Sequence, residues 1–388
     1  MTEINEWVRT WGAAPQAPDA GLGSLQEVSP LIDVTLRQVV RISGGGRRVR
    51  VRLTNEYGTT PLNVGAAQVG LAIPGGGVEQ GSTRVLTFAG RAAVTVPAGA
   101  PILSDPIDLP LPALAKLSIS LYLPELVESC TCHDPSLESG WIIAGNAVAE
   151  TTLPEKAEPL PVRALLSAVD VQPDAAASSI VVLGDSLADG FGSTPDANRS
   201  WPELLAEQGF YVCNQGISGN RMLNDGLGTS GLARFDRDVL ATPGLGCVVV
   251  SLGHNDISIS NAPRDDEAMA GFLAMFPGEP VTTDDILAGY QQLIARAHDR
   301  DVKIYVTTVT PDEGSEMHTA GSESARQTIN NWIRTSGAFD GVLDFDAAWR
   351  DPARPSRIRD DLHAGDHLHG NDAGHQVLAG SIDPSLFR

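Results

Sequence analysis

The sequence has little positive charge, few cysteines and no long apolar run. Its 388 residues carry 27 Lys and Arg against 48 Asp and Glu, a formal net charge of −21. An acidic surface repels nucleic acids and anionic membranes, so neither is an expected partner. No stretch reaches the ~18 uninterrupted apolar residues of a membrane span, and the N-terminus shows no signal-peptide pattern. We therefore expect a cytoplasmic protein, or a secreted one if a leader has been removed.

The four cysteines are too few for a disulfide framework in a chain of this length. Cys130-Thr131-Cys132-His133 has the donor types of half a zinc site. No second Cys/His pair stands at ligand spacing, so a structural zinc is not expected. The motif is interpreted as a thiol pair in a loop.

The first part of the chain shows strand signals and almost no helix signals. Alternating runs at 39–42 and 49–53 flank Gly44-Gly45-Gly46, and runs at 85–88 and 93–96 flank Ala89-Gly90-Arg91, so each pair predicts a hairpin. Short strands with regular turns indicate an all-β sandwich, jelly-roll-like, over residues 1–170. This domain is expected to be a scaffold or a carbohydrate-binding module, although it has few aromatic residues for stacking on sugars. A Pro- and Ala-rich connector at its end leads to a second domain, 171–388.

In the second domain, strand patterns alternate with helix patterns. The first strand pattern is the apolar run Ile180-Val181-Val182-Leu183, and the longest helix pattern begins at Thr283. This alternation predicts a parallel sheet with helices on both faces. Ligands bind such sheets outside the carboxyl ends of their strands.

Polar and glycine-containing motifs follow three of these strands, and a fourth stands near the C-terminus. They are Gly184-Asp185-Ser186-Leu187, Gly216-Ile217-Ser218-Gly219-Asn220-Arg221, Gly253-His254-Asn255-Asp256 and Asp366-His367-Leu368-His369-Gly370-Asn371. Each alone would be unremarkable, since such serines and asparagines usually cap helices and such glycines usually form turns.

In this order, the four motifs resemble the blocks of the SGNH, or GDSL, serine hydrolases over residues 178–388. The resemblance implies a three-layer, flavodoxin-like parallel sheet. The N-terminal half is similar to the β-sandwich of a subgroup that includes arylesterases and xylan-side-chain acetyl esterases. Gly370 departs from the proline that usually follows the family's histidine.

The resemblance also implies the site residues. Ser186 would be the nucleophile, His369 the base and Asp366 the residue that orients His369. The backbone N–H groups of Ser186 and Gly219 and the side-chain amide of Asn255 would form the oxyanion hole. His367 is the fallback base, and Asp185 and Asp256 are interpreted as hydrogen-bonding loop residues.

The expected activity is hydrolysis of acetyl or short-chain esters of small molecules or carbohydrates, without a metal or an organic cofactor. Alternatives are a thioesterase or lipase acting on longer chains, and a carbohydrate-binding protein with a hydrolase-like domain. A metal site is a further alternative, because four histidines crowd one segment: His363, His367, His369 and His375. The stretch 258–280, rich in Met and Phe, is interpreted as a buried helix or as an apolar flap over the site.

Overall fold

A computed structural model describes residues 7–20, 23–26, 28–264 and 267–388. The chain divides into two compact units, one of residues 1–179 with 206–213, the other of 180–205 with 214–388. The predicted boundary after residue 170 falls inside a strand, Leu166–Gln172, and the first unit continues to Ser179. Among the described residues, none of the helices has both the length and the apolar character needed to cross a bilayer.

The first unit is built from strands, and its described residues up to Ser179 contain no helix. Its strands are β1 (Val8–Gly12), β2 (Val34–Arg41), β3 (Gly46–Asn55), β4 (Leu62–Val64), β5 (Ala66–Ile73), β6 (Gly77–Val78), β7 (Arg84–Val85), β8 (Val94–Val96), β9 (Ala100–Leu103), β10 (Ile107–Leu111), β11 (Lys116–Leu123), β12 (Cys132–His133), β13 (Gly140–Ala144), β14 (Glu158–Pro159), β15 (Arg163–Ala164) and β16 (Leu166–Gln172).

Two larger sheets contribute to one hydrophobic core. One sheet has the order β1-β16-β3-β10, with β9 also on β3. The other has the order β14-β13-β2-β11-β5-β6, with β7 also on β5. Val51 of β3 and Val169 of β16 share the core cluster with Leu36 of β2 and Leu121 of β11, all four fully buried. The jelly-roll connectivity stays a prediction.

The glycine-rich hairpin predicted around Gly44-Gly45-Gly46 is wrong. β2 pairs with β11 and β13, whereas β3 pairs with β16, β10 and β9, so the connection crosses from one sheet to the other. The glycines allow close packing of backbones: a Cβ on Gly45 would lie 2.3 Å from the carbonyl oxygen of Leu111. The second predicted hairpin is reduced to one bridge, between Phe88 and Arg91.

All four cysteines are buried and unbridged. Burial raises the pKa of Cys130 and of Cys247 to about 12, so these thiols stay protonated at neutral pH. Within the described residues, Cys130, Cys132 and His133 do not assemble into a group that could hold a metal ion.

The second unit alternates strands and helices, as its sequence pattern predicts. Its strands are β17 (Ser179–Gly184), β18 (Tyr211–Gly216), β19 (Leu245–Ser251), β20 (Lys303–Thr307), β21 (Gly341–Leu343), β22 (Arg350–Asp351) and β23 (Arg354–Ile358). Its helices are α1 (Ser186–Asp189), α2 (Trp201–Ala206), α3 (Gly231–Phe235), α4 (His254–Asn261), α5 (Glu267–Leu273), α6 (Thr283–His298), α7 (Ala320–Thr335), α8 (Phe345–Trp349) and α9 (Asp372–Ser381). A π-helical turn, Asp236–Leu240, follows α3, and a 3-10 turn, Pro384–Phe387, ends the chain.

Its main sheet has the order β18-β17-β19-β20-β21. Counted along the chain this order is 2-1-3-4-5, the flavodoxin-like order, in which the chain reverses direction across the sheet beside the first strand. The pairs β19–β20 and β20–β21 are parallel. The order places the end of β17 between the ends of β18 and β19, which are followed by the second and third motifs.

Strand β18 begins in the segment that belongs to the first unit. There the backbone N–H of Val212 donates to the Ser43 hydroxyl at 2.8 Å, and the Tyr211 hydroxyl donates to the carbonyl of Gly45 at 2.7 Å. The apolar pattern of β18 does not indicate that the first residues of this strand belong to the first unit.

Candidate active site

Ser186 lies where the buried strand β17 turns directly into a short helix. The side chain of Asp185 caps α1 by accepting a hydrogen bond from the N–H of Leu187 at 3.1 Å. The turn is tight, because a Cβ on Gly184 would lie 2.3 Å from the Cβ of Ala188. Ser186 is only 8% exposed. Its hydroxyl is thus held at the carboxyl end of a central strand, where α/β sheets bind ligands.

His369 and Asp366 complete a chain of hydrogen bonds that begins at this serine. The Oγ of Ser186 lies 2.9 Å from Nε2 of His369, and Nδ1 of His369 lies 2.6 Å from Oδ2 of Asp366. The structure therefore brings together the three residues singled out in the sequence. Such a chain can move a proton from the hydroxyl to the imidazole while the carboxylate holds the ring's orientation.

Asp366 is held by its own loop as well as by His369. Its Oδ1 accepts the backbone N–H groups of Leu368 at 3.0 Å and of His369 at 2.9 Å. Partial burial would raise the pKa of Asp366, but the hydrogen bonds from His369 and Leu368 outweigh it and keep the pKa well below its usual range. The carboxylate is therefore ionised at any pH at which the protein would work.

The candidate oxyanion donors are free to bind a ligand. Neither the backbone N–H of Ser186 nor that of Gly219 donates to another group among the described residues. Gly219 has φ +75°, and a Cβ there would lie 2.5 Å from Leu227, so only glycine fits without strain. One hydrogen of the Asn255 amide is bound, because Nδ2 donates to the carbonyl of Asn220 at 3.0 Å. Its second hydrogen has no partner in the part of the chain that the structure describes.

The comparison with known families agrees with this geometry. Residues 182–377 match the GDSL-like lipase/acylhydrolase family. The chain belongs to this family. Members of the GDSL family are acylhydrolases, so the protein is a hydrolase of the esterase and lipase type. No curated protein matches the chain.

Several solved structures of lipases and esterases resemble the chain. One is a GDSL-like lipase from Bacteroides thetaiotaomicron, with 15% identity over 54% of this chain and 87% of that chain and a TM-score of 0.41. A carbohydrate acetylesterase from Sinorhizobium meliloti has 15% identity over 53% of this chain and 96% of that chain, with a TM-score of 0.40. An aryl esterase of M. smegmatis has 19% identity over 53% of this chain and 96% of that chain, with a TM-score of 0.37.

A fully buried arginine, which sequence reasoning missed, connects the first two GDSL motifs. The guanidinium of Arg234 donates to the carbonyls of Gly184 at 3.0 Å and Gln215 at 2.7 Å, at the ends of β17 and β18. It also donates twice to Oδ1 of Asn220, at 3.0 and 3.1 Å. Because the carbonyl of Asn220 binds the Asn255 amide, Arg234 fixes the loop that orients this candidate donor. An arginine in a helix of only five residues gives no sequence signal of such burial.

An aromatic ring, also missed from the sequence, packs on the candidate base. The ring centroids of Phe191 and His369 lie 4.6 Å apart, and the rings are tilted by 52°. Phe191 is 37% exposed, so one side of its ring faces solvent. The contact restrains the imidazole in the plane in which it meets Ser186.

The remaining histidines do not contact Ser186. His375 is fully buried and accepts the N–H of Trp201 at 3.3 Å. Burial lowers the pKa of His375 to about 4. His367, the fallback base, has φ +60°, and its Nδ1 lies 3.5 Å from the guanidinium of Arg357. Its ring packs against that of His363, with centroids 4.2 Å apart.

One histidine cluster has the spacing of a metal site. Candidate ligand atoms of Asp360, His363 and His367 all lie within 4.8 Å of one another. However, Nδ1 of His363 accepts the backbone N–H groups of Gly365 at 3.0 Å and His367 at 3.3 Å. In a neutral ring the hydrogen is then on Nε2, so no lone pair faces the cluster. These contacts favour a hydrogen-bonded cluster over a metal centre.

Two buried carboxylates, those of Asp185 and Asp256, bind backbone N–H groups next to the site. Asp256 accepts the backbone N–H groups of Met222 at 2.7 Å and Leu223 at 3.0 Å, in the loop that continues from Gly219. Burial raises the pKa of Asp256, and burial together with the charge of Asp256 raises the pKa of Asp185 to about 7. Both residues are hydrogen-bond acceptors for backbone N–H groups, the kind of role their sequence positions predict.

Proposed function

We propose that this GDSL-family hydrolase cleaves small carboxylic esters, with acetyl or short acyl chains, through an acyl-enzyme on Ser186. The observation that carries the proposal is the continuous contact from Ser186 to His369 to Asp366, at 2.9 and 2.6 Å. A serine hydroxyl is a weak nucleophile until a base removes its proton. The substrate is a small-molecule or carbohydrate ester.

In the acylation step, Oγ of Ser186 attacks the ester carbonyl carbon while Nε2 of His369 takes the hydroxyl proton. The carbonyl oxygen becomes an oxyanion, which the N–H groups of Ser186 and Gly219 and the free hydrogen of Asn255 stabilise. Asp366 accepts the Nδ1 hydrogen and stabilises the imidazolium. The bond to the alcohol oxygen then breaks, and His369 gives its proton to that oxygen.

In the deacylation step, His369 takes a proton from water, and the resulting hydroxide attacks the acyl carbon of the Ser186 ester. The second oxyanion occupies the same donors. Its collapse releases the carboxylic acid and returns the proton from His369 to Oγ of Ser186. Each step uses only the residues of the site and one water molecule.

The test is turnover of p-nitrophenyl acetate, butyrate and octanoate by the wild type and by Ser186→Ala. We expect acetate or butyrate to be the best substrate and Ser186→Ala to lose activity by several orders of magnitude. Ser193→Ala is the matched control, because the Ser193 hydroxyl donates to the carbonyl of Gly190 at 2.6 Å and has no contact with His369. Equal activity of wild type and Ser186→Ala would refute the proposal.

The chain-length series also separates the alternatives. A preference for octanoate, or for long-chain acyl thioesters over p-nitrophenyl esters, would favour the thioesterase or lipase alternative. Binding of sugars without turnover of any ester would favour the carbohydrate-binding alternative.

A further inference from the structure

A cavity of about 770 Å³ adjoins the loop that carries His369. Its size lies within the range of pockets that bind small molecules. Three consecutive residues of the loop line it, Asp366, His367 and Leu368. Opposite walls come from α5, through Met269 and Phe272, and from residues 314–317, through Met317. We call this cavity the loop pocket.

The segment 267–278, which contains α5, reaches both loops of the proposed active site. Its buried residues Leu273 and Phe276 share a hydrophobic cluster with Leu227, the residue that a Cβ on Gly219 would touch. Its Phe272 is 38% exposed and faces the loop pocket. The buried residues agree with the interpretation of the stretch 258–280 as a buried helix. Its interpretation as an apolar flap over the site stays a prediction.

The residues that line the loop pocket determine which chemical groups it can bind. The apolar residues of its lining are Met269, Phe272, Met317, Leu368 and Pro263. The described residues that line it include no Lys or Arg. Its charged groups include the carboxylates of Glu316 and Asp366. Such walls favour a neutral apolar group, with aromatic rings gaining from contact with Phe272. They disfavour an anionic group, because two carboxylates already line the same cavity.

The proton path indicates which part of an ester lies here. The atom that His369 must protonate in acylation is the oxygen of the leaving alcohol. That oxygen must come within hydrogen-bond reach of Nε2, whereas the acyl oxygen points to the donors at Gly219 and Asn255. The substituent on the alcohol oxygen therefore lies on the side of the histidine loop, whose residues Asp366, His367 and Leu368 line the loop pocket.

We propose that the loop pocket binds the alcohol part of the ester and selects neutral, apolar alcohols, aromatic ones above all. The proposal rests on the proposed ester hydrolysis at Ser186. It assigns Phe272 as a specificity-determining residue and Glu316 as a residue that disfavours anionic alcohols.

The kinetic test holds the acyl group constant and varies the alcohol. 2-Naphthyl acetate, ethyl acetate and 4-acetoxybenzoate all form the same acetyl-enzyme, so differences in kcat/KM report the alcohol side. We expect Phe272→Ala to lower kcat/KM for 2-naphthyl acetate about 3- to 12-fold, the range for one aromatic contact. Ethyl acetate should change less than about twofold, and the ratio between ethyl acetate and ethyl butyrate should not change. Glu316→Gln should raise kcat/KM for the anionic 4-acetoxybenzoate selectively.

Met275→Ala is the matched control, since Met275 is 42% exposed on the same segment and does not line the pocket. It should leave all these ratios unchanged. A shift in acyl-chain preference in Phe272→Ala, or equal losses for 2-naphthyl acetate and ethyl acetate, would overturn the proposal.

A binding measurement keeps this test separate from turnover. Titration of the Ser186→Ala protein with 2-naphthol, followed by its fluorescence, should give a Kd that Phe272→Ala weakens about 3- to 12-fold and that Met275→Ala does not. If no ester is hydrolysed while this difference in Kd is found, the proposed function fails, and with it the alcohol role of the pocket, while its affinity for aromatic alcohols stands. If esters are hydrolysed and Phe272→Ala changes neither Kd nor the kinetic ratios, the pocket assignment fails alone.

Discussion

Replacing Asp366 by Asn should reverse the direction of the hydrogen bond between His369 and Ser186. The two backbone N–H groups of Leu368 and His369 donate to Oδ1 of Asp366, so they hold an oxygen at that position. The amide nitrogen of Asn would then face Nδ1 of His369 and donate to it. This places the ring hydrogen on Nε2, which becomes a donor to Ser186 and can no longer take its proton.

The magnitude follows from the same contacts. Turning the amide over would restore the correct tautomer but would sacrifice two hydrogen bonds of about 1 kcal/mol each. Loss of the carboxylate charge removes a further ~1–3 kcal/mol of imidazolium stabilisation at this partly exposed site. Together these amount to about 3–5 kcal/mol, a 10²- to 10⁴-fold fall in kcat. Stability should change little, because the side chain of Asp366 is 43% exposed.

The assay is kcat for p-nitrophenyl acetate at neutral pH, with the melting temperature measured in parallel. Asp360→Asn is the matched control, because its carboxylate lies on the same loop, is 84% exposed and has no contact with His369. It should retain activity within about twofold of the wild type. An Asp366→Asn variant that keeps a third or more of wild-type kcat would refute the assignment of Asp366 as the residue that orients His369.

Three further predictions concern the groups around this loop and beneath it. Asn255→Ala should lower kcat by about 10²- to 10³-fold with little change in KM, since it removes a donor used in the transition state; a change in KM alone would contradict this. Arg234→Met should cost about 3–5 kcal/mol of unfolding free energy in denaturant titrations, because it removes one partner of the buried ion pair with Asp238, whereas Arg359→Met, at an exposed ion pair with Asp361, should change the unfolding free energy little. The raised pKa of Asp185, about 7, means that the folded state binds more protons than the unfolded state between about pH 4 and 7. The contribution of Asp185 to stability should therefore fall as pH rises through this range, and Asp185→Asn should raise the melting temperature at pH 8 more than at pH 5; an equal shift at both would contradict the buried-acid assignment.

The elements around the site follow from local sequence signals. A buried β-branched run that stops at Gly184-Asp185-Ser186 specifies both the strand and the exit of the hydroxyl at its end. Asn371, the last residue of the fourth motif, caps the last helix, since its side chain accepts the N–H of Gly374 at 2.9 Å. In each case the signal and the structure lie within a few residues of each other.

Features that depend on distant partners could not be predicted in this way. The pattern around Gly44 to Gly46 shows which faces are buried but not which strands pair, because pairing partners come from elsewhere in the chain. Arg234 is buried because the ends of β17 and β18 and the loop of Asn220 converge on it. The sequence of its own helix does not reveal this. The sequence does not show which of His367 and His369 reaches Ser186, because this depends on the fold of the loop: His369 contacts Ser186, and the ring of His367 packs against His363.

The measurement that tests the central claim most directly is covalent labelling with a fluorophosphonate, read by intact-mass and peptide mass spectrometry. An activated serine nucleophile attacks the phosphorus and forms a stable ester that mimics the tetrahedral intermediate. We predict one adduct per chain, on the peptide that contains Ser186, with none in Ser186→Ala and strongly slowed labelling in His369→Ala. An unlabelled wild-type protein, or an adduct on another residue that persists in Ser186→Ala, would contradict the account.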